Sequence, residues 1–259
     1  MLKRTGLFLV VILLILVTGC MSDTTVNPNT HKDGEEKLNN IVEKNNSEVI
    51  LKEIIGNEAA PEKKQTLEES VTNQIEWKLS NNKSVSASKD RIVLKTEFGN
   101  NGVVVLKVPD TTMNWYNFIV LRNNNNKWDI SSVVDMAISE NMHTEKQGLN
   151  LPMDRFIHTK LKGLDSTADN IWTFANENKF VVIGKYPRES FAPSSGTQEI
   201  SLNGHSAWIK VEKDSSLLYY FDSDYLVWMT ENLTREETEK LANSLPSSTS
   251  AFFPAKNQG

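Results

Sequence analysis

The stretch AWIKVEKDSSLLYYFDSDYLVWM, residues 207–229, decides the fold class. It holds three apolar runs rich in aromatic and β-branched residues: Ala207 to Val211, Leu217 to Phe221 and Tyr225 to Met229. Lys213-Asp214-Ser215-Ser216 and Asp222-Ser223-Asp224 separate them with turn chemistry. Runs of this length between turns this short read as an antiparallel meander. One step upstream, Glu199 to Leu202 joins it through Asn203-Gly204, the strongest short hairpin signal. Phe180-Val181-Val182-Ile183-Gly184 reads as a buried strand, and Pro187 and Pro193-Ser194-Ser195-Gly196 bound a long loop. Downstream, Thr234-Arg235-Glu236-Glu237 is a capping box, in which hydroxyl and carboxylate satisfy each other's backbone amides. The helix it starts runs to about Leu245, with Leu241, Ala242 and Leu245 facing the sheet, and Pro246 stops it.

A second β-rich segment lies earlier. Ile75-Glu76-Trp77-Lys78-Leu79 alternates as a half-buried strand does. Asn81-Asn82 marks a turn, and Ile92-Val93-Leu94 opens another strand. Gly99-Asn100-Asn101-Gly102 is a turn before Val103 to Val108, which is continuously apolar apart from Lys107. Trp115 to Leu121 and Trp128 to Val133 follow, joined by a loop from Arg122 to Lys127. Between Met136 and Thr173 the signals mix. Met136 to Met142 and Met153 to Leu161 read as short helices, and Ser166 to Asn170 as a break. The expected fold is α+β, mostly antiparallel sheet meanders with a C-terminal helix.

The first residues set a different kind of expectation. Lys3 and Arg4 precede an unbroken apolar run, Leu7 to Val17, then Thr18-Gly19 and Cys20, the single cysteine of the chain. The order is that of a secretory signal, and the run is shorter than the roughly 20 residues a membrane-spanning helix needs. Leu16-Val17-Thr18-Gly19-Cys20 resembles the lipobox of bacterial lipoproteins. That resemblance implies cleavage before Cys20, a diacylglycerol on its sulfur, an acyl chain such as palmitate on the new amino terminus, and a place on the extracytoplasmic face of the cell membrane. Two or three chains hold stably where one holds marginally. The alternative is an ordinary signal peptide with an incidental cysteine.

Residues 21–35, MSDTTVNPNTHKDGE, contain almost nothing that packs and read as a solvated tether. A weak helical pattern spans Glu36 to Ile55, and Glu62 to Ser70 is charged and helix-compatible. As a flexible chain, residues 21–70 would reach about 40 Å. The expected organisation is a signal peptide at 1–19, a lipidated tether with a weak helix at 20–73, a small β-rich module at 74–140, a second α+β module at 165–248 and a tail at 249–259.

That second module, from Phe180 to Leu245, resembles a C-terminal domain of unknown function (DUF4367) of exported and membrane proteins in spore-forming bacteria, some linked to sigma-factor regulation. Trp208-Ile209-Lys210-Val211, Leu217-Leu218-Tyr219-Tyr220, Tyr225-Leu226-Val227-Trp228 and the segment Asn232 to Leu245 carry the resemblance. The resemblance implies a regulatory or sensor role on a membrane partner and brings no catalytic residues.

Charge narrows the partners. The formal net charge is −5, and removing Lys3 and Arg4 takes the mature chain to −7. This argues against nucleic acid, which demands a basic face. With Cys20 lipidated, no thiol is left for a disulfide, a nucleophile or a thiolate metal site. The histidines His31, His143, His158 and His205 are far apart in sequence and lack the spacing of a zinc site. Asp222-Ser223-Asp224 starts like a calcium loop but lacks its glycine and distal glutamate, so a hairpin turn is expected. Ser194-Ser195-Gly196 lacks a nucleophile elbow, and no pair of acids is marked out for glycoside hydrolysis. Trp77, Trp115, Trp128, Trp172, Trp208 and Trp228 are expected in cores or in an aromatic groove, and Asn123 to Asn126 in an exposed hairpin. The expectation is a lipid-anchored, non-enzymatic binding or interaction module without cofactor or metal. A regulator or sensor subunit is the first alternative and a cell-wall hydrolase the second. An envelope protein is a candidate partner. An enclosed apolar cavity would favour ligand binding, and an exposed apolar patch would favour a protein partner.

Overall fold

The computed structural model describes residues 48–56, 65–139, 141–162, 170–188 and 195–256. Cys20, the expected signal peptide, His31, Ser194 and the segment 21–47 lie outside the described residues. The fold is α+β and mostly antiparallel sheet. Strands β1 (Leu51–Gly56), β2 (Ile75–Leu79) and β3 (Ser84–Ser86) form one sheet. A second holds β4 (Ile92–Phe98), β5 (Asn101–Lys107), β6 (Trp115–Asn124) and β7 (Lys127–Ala137). The third has seven strands: β8 (Ile157–Lys162), β9 (Asn170–Ala175), β10 (Phe180–Pro187), β11 (Gln198–Leu202), β12 (His205–Val211), β13 (Ser216–Asp222) and β14 (Tyr225–Glu231), in the order β11-β12-β13-β14-β10-β9-β8. Helix α1 is Leu67–Gln74 and α2 is Arg235–Ser244.

Strands β5 and β6, at the centre of the β4–β7 sheet, are buried on both faces, and this explains their unbroken apolar runs. Val103, Val105, Tyr116, Phe118 and Val120 pack against the seven-stranded sheet. Val104, Leu106, Ile119 and Leu121 pack the other way, against α1, β1 and β2. The two β-rich segments of the sequence therefore share one core, and the chain from Asn46 onward is one compact unit. Trp228 sits at its centre, fully buried, with Phe98 and Tyr186 at 4.8 and 5.5 Å. Gly184 makes room for it: a Cβ there would meet the indole at 2.0 Å.

The turns carry the backbone strain that their residues suit. Asn203-Gly204 lies at φ 49° and 83° and Asn125-Asn126 at 55° and 67°, the double positive φ of a tight hairpin. The expected loop from Arg122 to Lys127 thus shrinks to two residues. Both helices start with a capping box, Thr66 with Glu69 and Thr234 with Glu237. The second was legible in the sequence reading and the first was not.

Four expectations are corrected. Leu51–Gly56 is a strand and not the end of a helix, because β2 offers a pairing edge and Ile54 lies opposite Trp77. The folded unit also takes in α1, so the span 20–73 is not all tether; Leu67 and Val71 are fully buried. Met136 belongs to β7, which follows its long partner β6 to Ala137, and the described residues from there to Met142 are not helical. Ile157–Lys162 is the edge strand β8, paired along its whole length with β9, and Met153 and Phe156 are buried in the loop before it.

Candidate aromatic pocket under the C-terminal strap

The face of the seven-stranded sheet turned away from β4–β7 is ordered in cross-strand rows. Lys160, Trp172, Ile183 and Met229 lie opposite one another in register, and His158, Phe174, Val181 and Glu231 form the next row. Strand period 2 puts alternate residues on the same face, and Trp172, Phe174, Val181, Ile183 and Met229 belong to one core cluster. Helix α2 covers the β11–β13 side of this face through Leu241 and Ala242.

Two irregular segments cover the β8–β10 side. The first is the loop before β8. It is pinned by backbone hydrogen bonds in both directions between His143 and Phe156 (2.7 and 3.0 Å), and Asn150 donates its amide to Ser244 Oγ at 2.9 Å. The second is the chain after α2, a strap over residues 246–256. Asp222 holds its start: Ser247 Oγ and the Ser248 amide donate to Oδ2 at 3.1 and 2.6 Å, and Ser248 Oγ donates to the Asp222 carbonyl. Burial alone would raise the Asp222 pKa, but these hydrogen bonds outweigh it and hold the carboxyl below its ordinary range. Lys185 Nζ donates to the Ser248 carbonyl at 2.9 Å. At the far end the Lys256 amide donates to the Gln147 carbonyl at 3.0 Å. Gly148 accepts that approach at φ 81°, where a Cβ would meet Lys256 Cβ at 2.8 Å.

Between sheet, loop and strap lies a cavity of about 230 Å³. Trp172, Phe174 and His158 form its floor, Leu149 and Phe156 one wall, and Phe252, Phe253 and Pro254 the other. Phe253 meets Trp172 edge-on at 5.3 Å, while Phe252 is 54% exposed at the mouth. His158 stacks on Phe174 (5.9 Å, 27°) and has the His143 ring at 4.6 Å. Partial burial, and then the neighbouring His143, push the His158 pKa down, which keeps its imidazole neutral near pH 7. Lys160 Nζ lies over the Trp172 ring at 5.1 Å, and Lys185 Nζ over Tyr225 and Phe253 at 4.6 and 5.5 Å. Such a pocket holds a flat apolar group by dispersion and aromatic contacts, with cations at its rim.

A second buried feature lies in the same row as His158. Glu231 is fully buried, and burial pushes its pKa up to about 8 despite the Thr238 hydroxyl at 2.8 Å from Oε1. Thr238 Oγ1 also donates to the Thr234 carbonyl at 3.0 Å. One hydroxyl proton cannot serve both acceptors. A protonated Glu231 donating to Thr238, which donates on to Thr234, satisfies the chain.

His143 and His158, distant in sequence, are brought together; His205 is exposed in the β11–β12 hairpin. Among the described residues, no group of three or more His, Cys, Asp or Glu is placed to hold a metal. Asp222-Ser223-Asp224 is a hairpin turn, with Ser223 at φ 54°. Of the six tryptophans, Trp77 and Trp228 are fully buried, Trp128 and Trp172 nearly so, and Trp115 and Trp208 half-buried. Trp172 alone of the six lines the pocket. The sequence reading missed the pocket because it took 249–259 as a tail. The signal was Phe252-Phe253-Pro254, too apolar for a solvated end.

No known family model, curated protein or solved structure matches this chain.

Proposed function

We propose that the protein is a lipid-anchored extracytoplasmic binding module at the bacterial cell membrane, attached through Cys20. The anchor rests on the ordered signal Lys3-Arg4, Leu7 to Val17 and Leu16-Val17-Thr18-Gly19-Cys20. The binding role rests on one observation: an aromatic-walled cavity, open at its mouth, beneath the chain's own C-terminal strap. The mature charge of −7 suits neither nucleic acid nor an anionic lipid surface as the partner.

The test of the anchor is fractionation. Cys20→Ala should release the protein from the membrane or leave its signal uncut. A cleaved product that stays on the membrane would overturn the lipoprotein reading. The resemblance of residues 180–245 to DUF4367 favours a second reading, a regulator or sensor acting on a membrane partner. Crosslinking in intact cells separates the two. A specific envelope protein captured only by the lipidated form supports the regulator, and no captured protein supports the ligand binder.

A further inference from the structure

We propose that the pocket beneath the strap binds a one- or two-ring aromatic carboxylate, its ring packed against Trp172, Phe174 and Phe253 and its anion held by Lys160. This deepens the binding reading above and rests on it.

Size sets the first limit. A cavity of about 230 Å³ exceeds the ~150 Å³ hole that takes up benzene and falls short of the ~300–1,000 Å³ of pockets for larger ligands. One or two fused rings fit. Shape sets the second. The floor and the strap wall present aromatic faces and edges, and Trp172 and Phe253 already stand in the edge-to-face arrangement at 66°, a geometry that favours a further flat ring.

Charge sets the third. Glu145, Lys146 and Lys160 are the charged residues lining the cavity. Lys146 is paired with Asp154 at 3.1 Å, and Glu145 has a partner of its own. Lys160 has the Trp172 ring and, among the described residues, no carboxylate partner. The next cation on this face is Lys185, whose pKa is held below the ordinary lysine value by burial first and by the neighbouring Lys160 ammonium second. Two ammonium groups that repel one another over aromatic rings, with only a backbone carbonyl between strap and Lys185, form a place where an anion relieves the repulsion. A neutral guest would leave that repulsion in place.

The test uses the whole mature chain from residue 20, with Cys20→Ser in place of the lipid so that no detergent competes for the ligand. Naphthalene-2-carboxylate and its neutral, equally sized amide are titrated by ligand-observed NMR and calorimetry. The carboxylate should bind about tenfold tighter, the worth of one charge-assisted contact. Lys160→Glu, a change at an exposed side chain, should abolish that preference while the amide still binds. Phe253→Ala should weaken both. Equal affinities, a preference that survives Lys160→Glu, or no binding of either compound would each overturn the proposal. Membrane retention of the lipidated chain is read separately, so failure of the ligand and failure of the anchor are distinguishable.

Discussion

The two faces of the seven-stranded sheet are closed in opposite ways. One face meets another sheet. Trp228, Tyr219, Val182 and Leu226 interlock with Phe98, Phe118 and Val105 from β4–β7, and the hydroxyls of Thr96 and Thr230, one from each sheet, share a buried hydrogen bond at 2.5 Å. The other face meets a helix, a loop and a strap. Three separate pieces cannot match a pleated surface along its whole width, and the seam between them is the pocket. A sheet covered by a sheet becomes core; a sheet covered by a patchwork keeps a gap where chemistry can enter.

The largest expected loss tests the sealed face. Trp228→Ala should cost about 4 kcal/mol, because the ring is fully buried and its neighbours sit on two sheets that cannot collapse together. Trp172→Ala, on the patchwork face, should cost about 2 kcal/mol, since one side of that ring already borders the cavity. Chemical denaturation measures both. Equal losses would break the contrast between the faces.

A pH-dependent effect sharpens it. Glu231 is neutral when folded at pH 7, with its pKa at about 8, against an ordinary glutamate value near 4.3 when unfolded. Between those values the unfolded chain has released a proton that the folded chain keeps. Stability from this group is therefore full below about pH 4.3, falls as pH rises, and is lost above about pH 8. Glu231→Gln keeps the shape and removes the titration. It should leave stability at pH 4 nearly unchanged and raise it at pH 8 by up to about 5 kcal/mol, the pKa difference taken at ~1.4 kcal/mol per unit. Thermal melts across that range decide it. A wild-type curve parallel to the variant's at every pH would mean that Glu231 is charged in the fold.

The contrast also explains what could be read from the sequence. Strands β12, β13 and β14 and helix α2 were legible because each has a sealed face, crisp turns and, for α2, a capping box. Val103 to Val108 and Trp115 to Leu121 were legible as strands from their apolar runs, although only the structure gives the cause, burial on both faces. Edge strand β8 was not legible. Its sequence, IHTKLK, alternates weakly because it lies at the rim of the patchwork face, where Lys160 and His158 remain exposed. The same physics hid the pocket. Its residues come from 145–160, 172–174 and 252–255, and what joins them is the strap's hydrogen bonding to Asp222 and Gln147. No local period encodes a contact between a tail and a turn. The proposed anchor is the reverse case: its reading lies within residues 1–20 and needs no fold.

The most direct test of the account is photochemical footprinting of the mature chain with a small diazirine, whose carbene labels whatever surface it reaches. Label should concentrate on residues 145–160 and on Phe252 and Phe253, with none on Phe98, Tyr219 or Trp228, and naphthalene-2-carboxylate should suppress it. Equal labelling of both faces, or no label under the strap, would contradict the claim that one face is sealed and the other open.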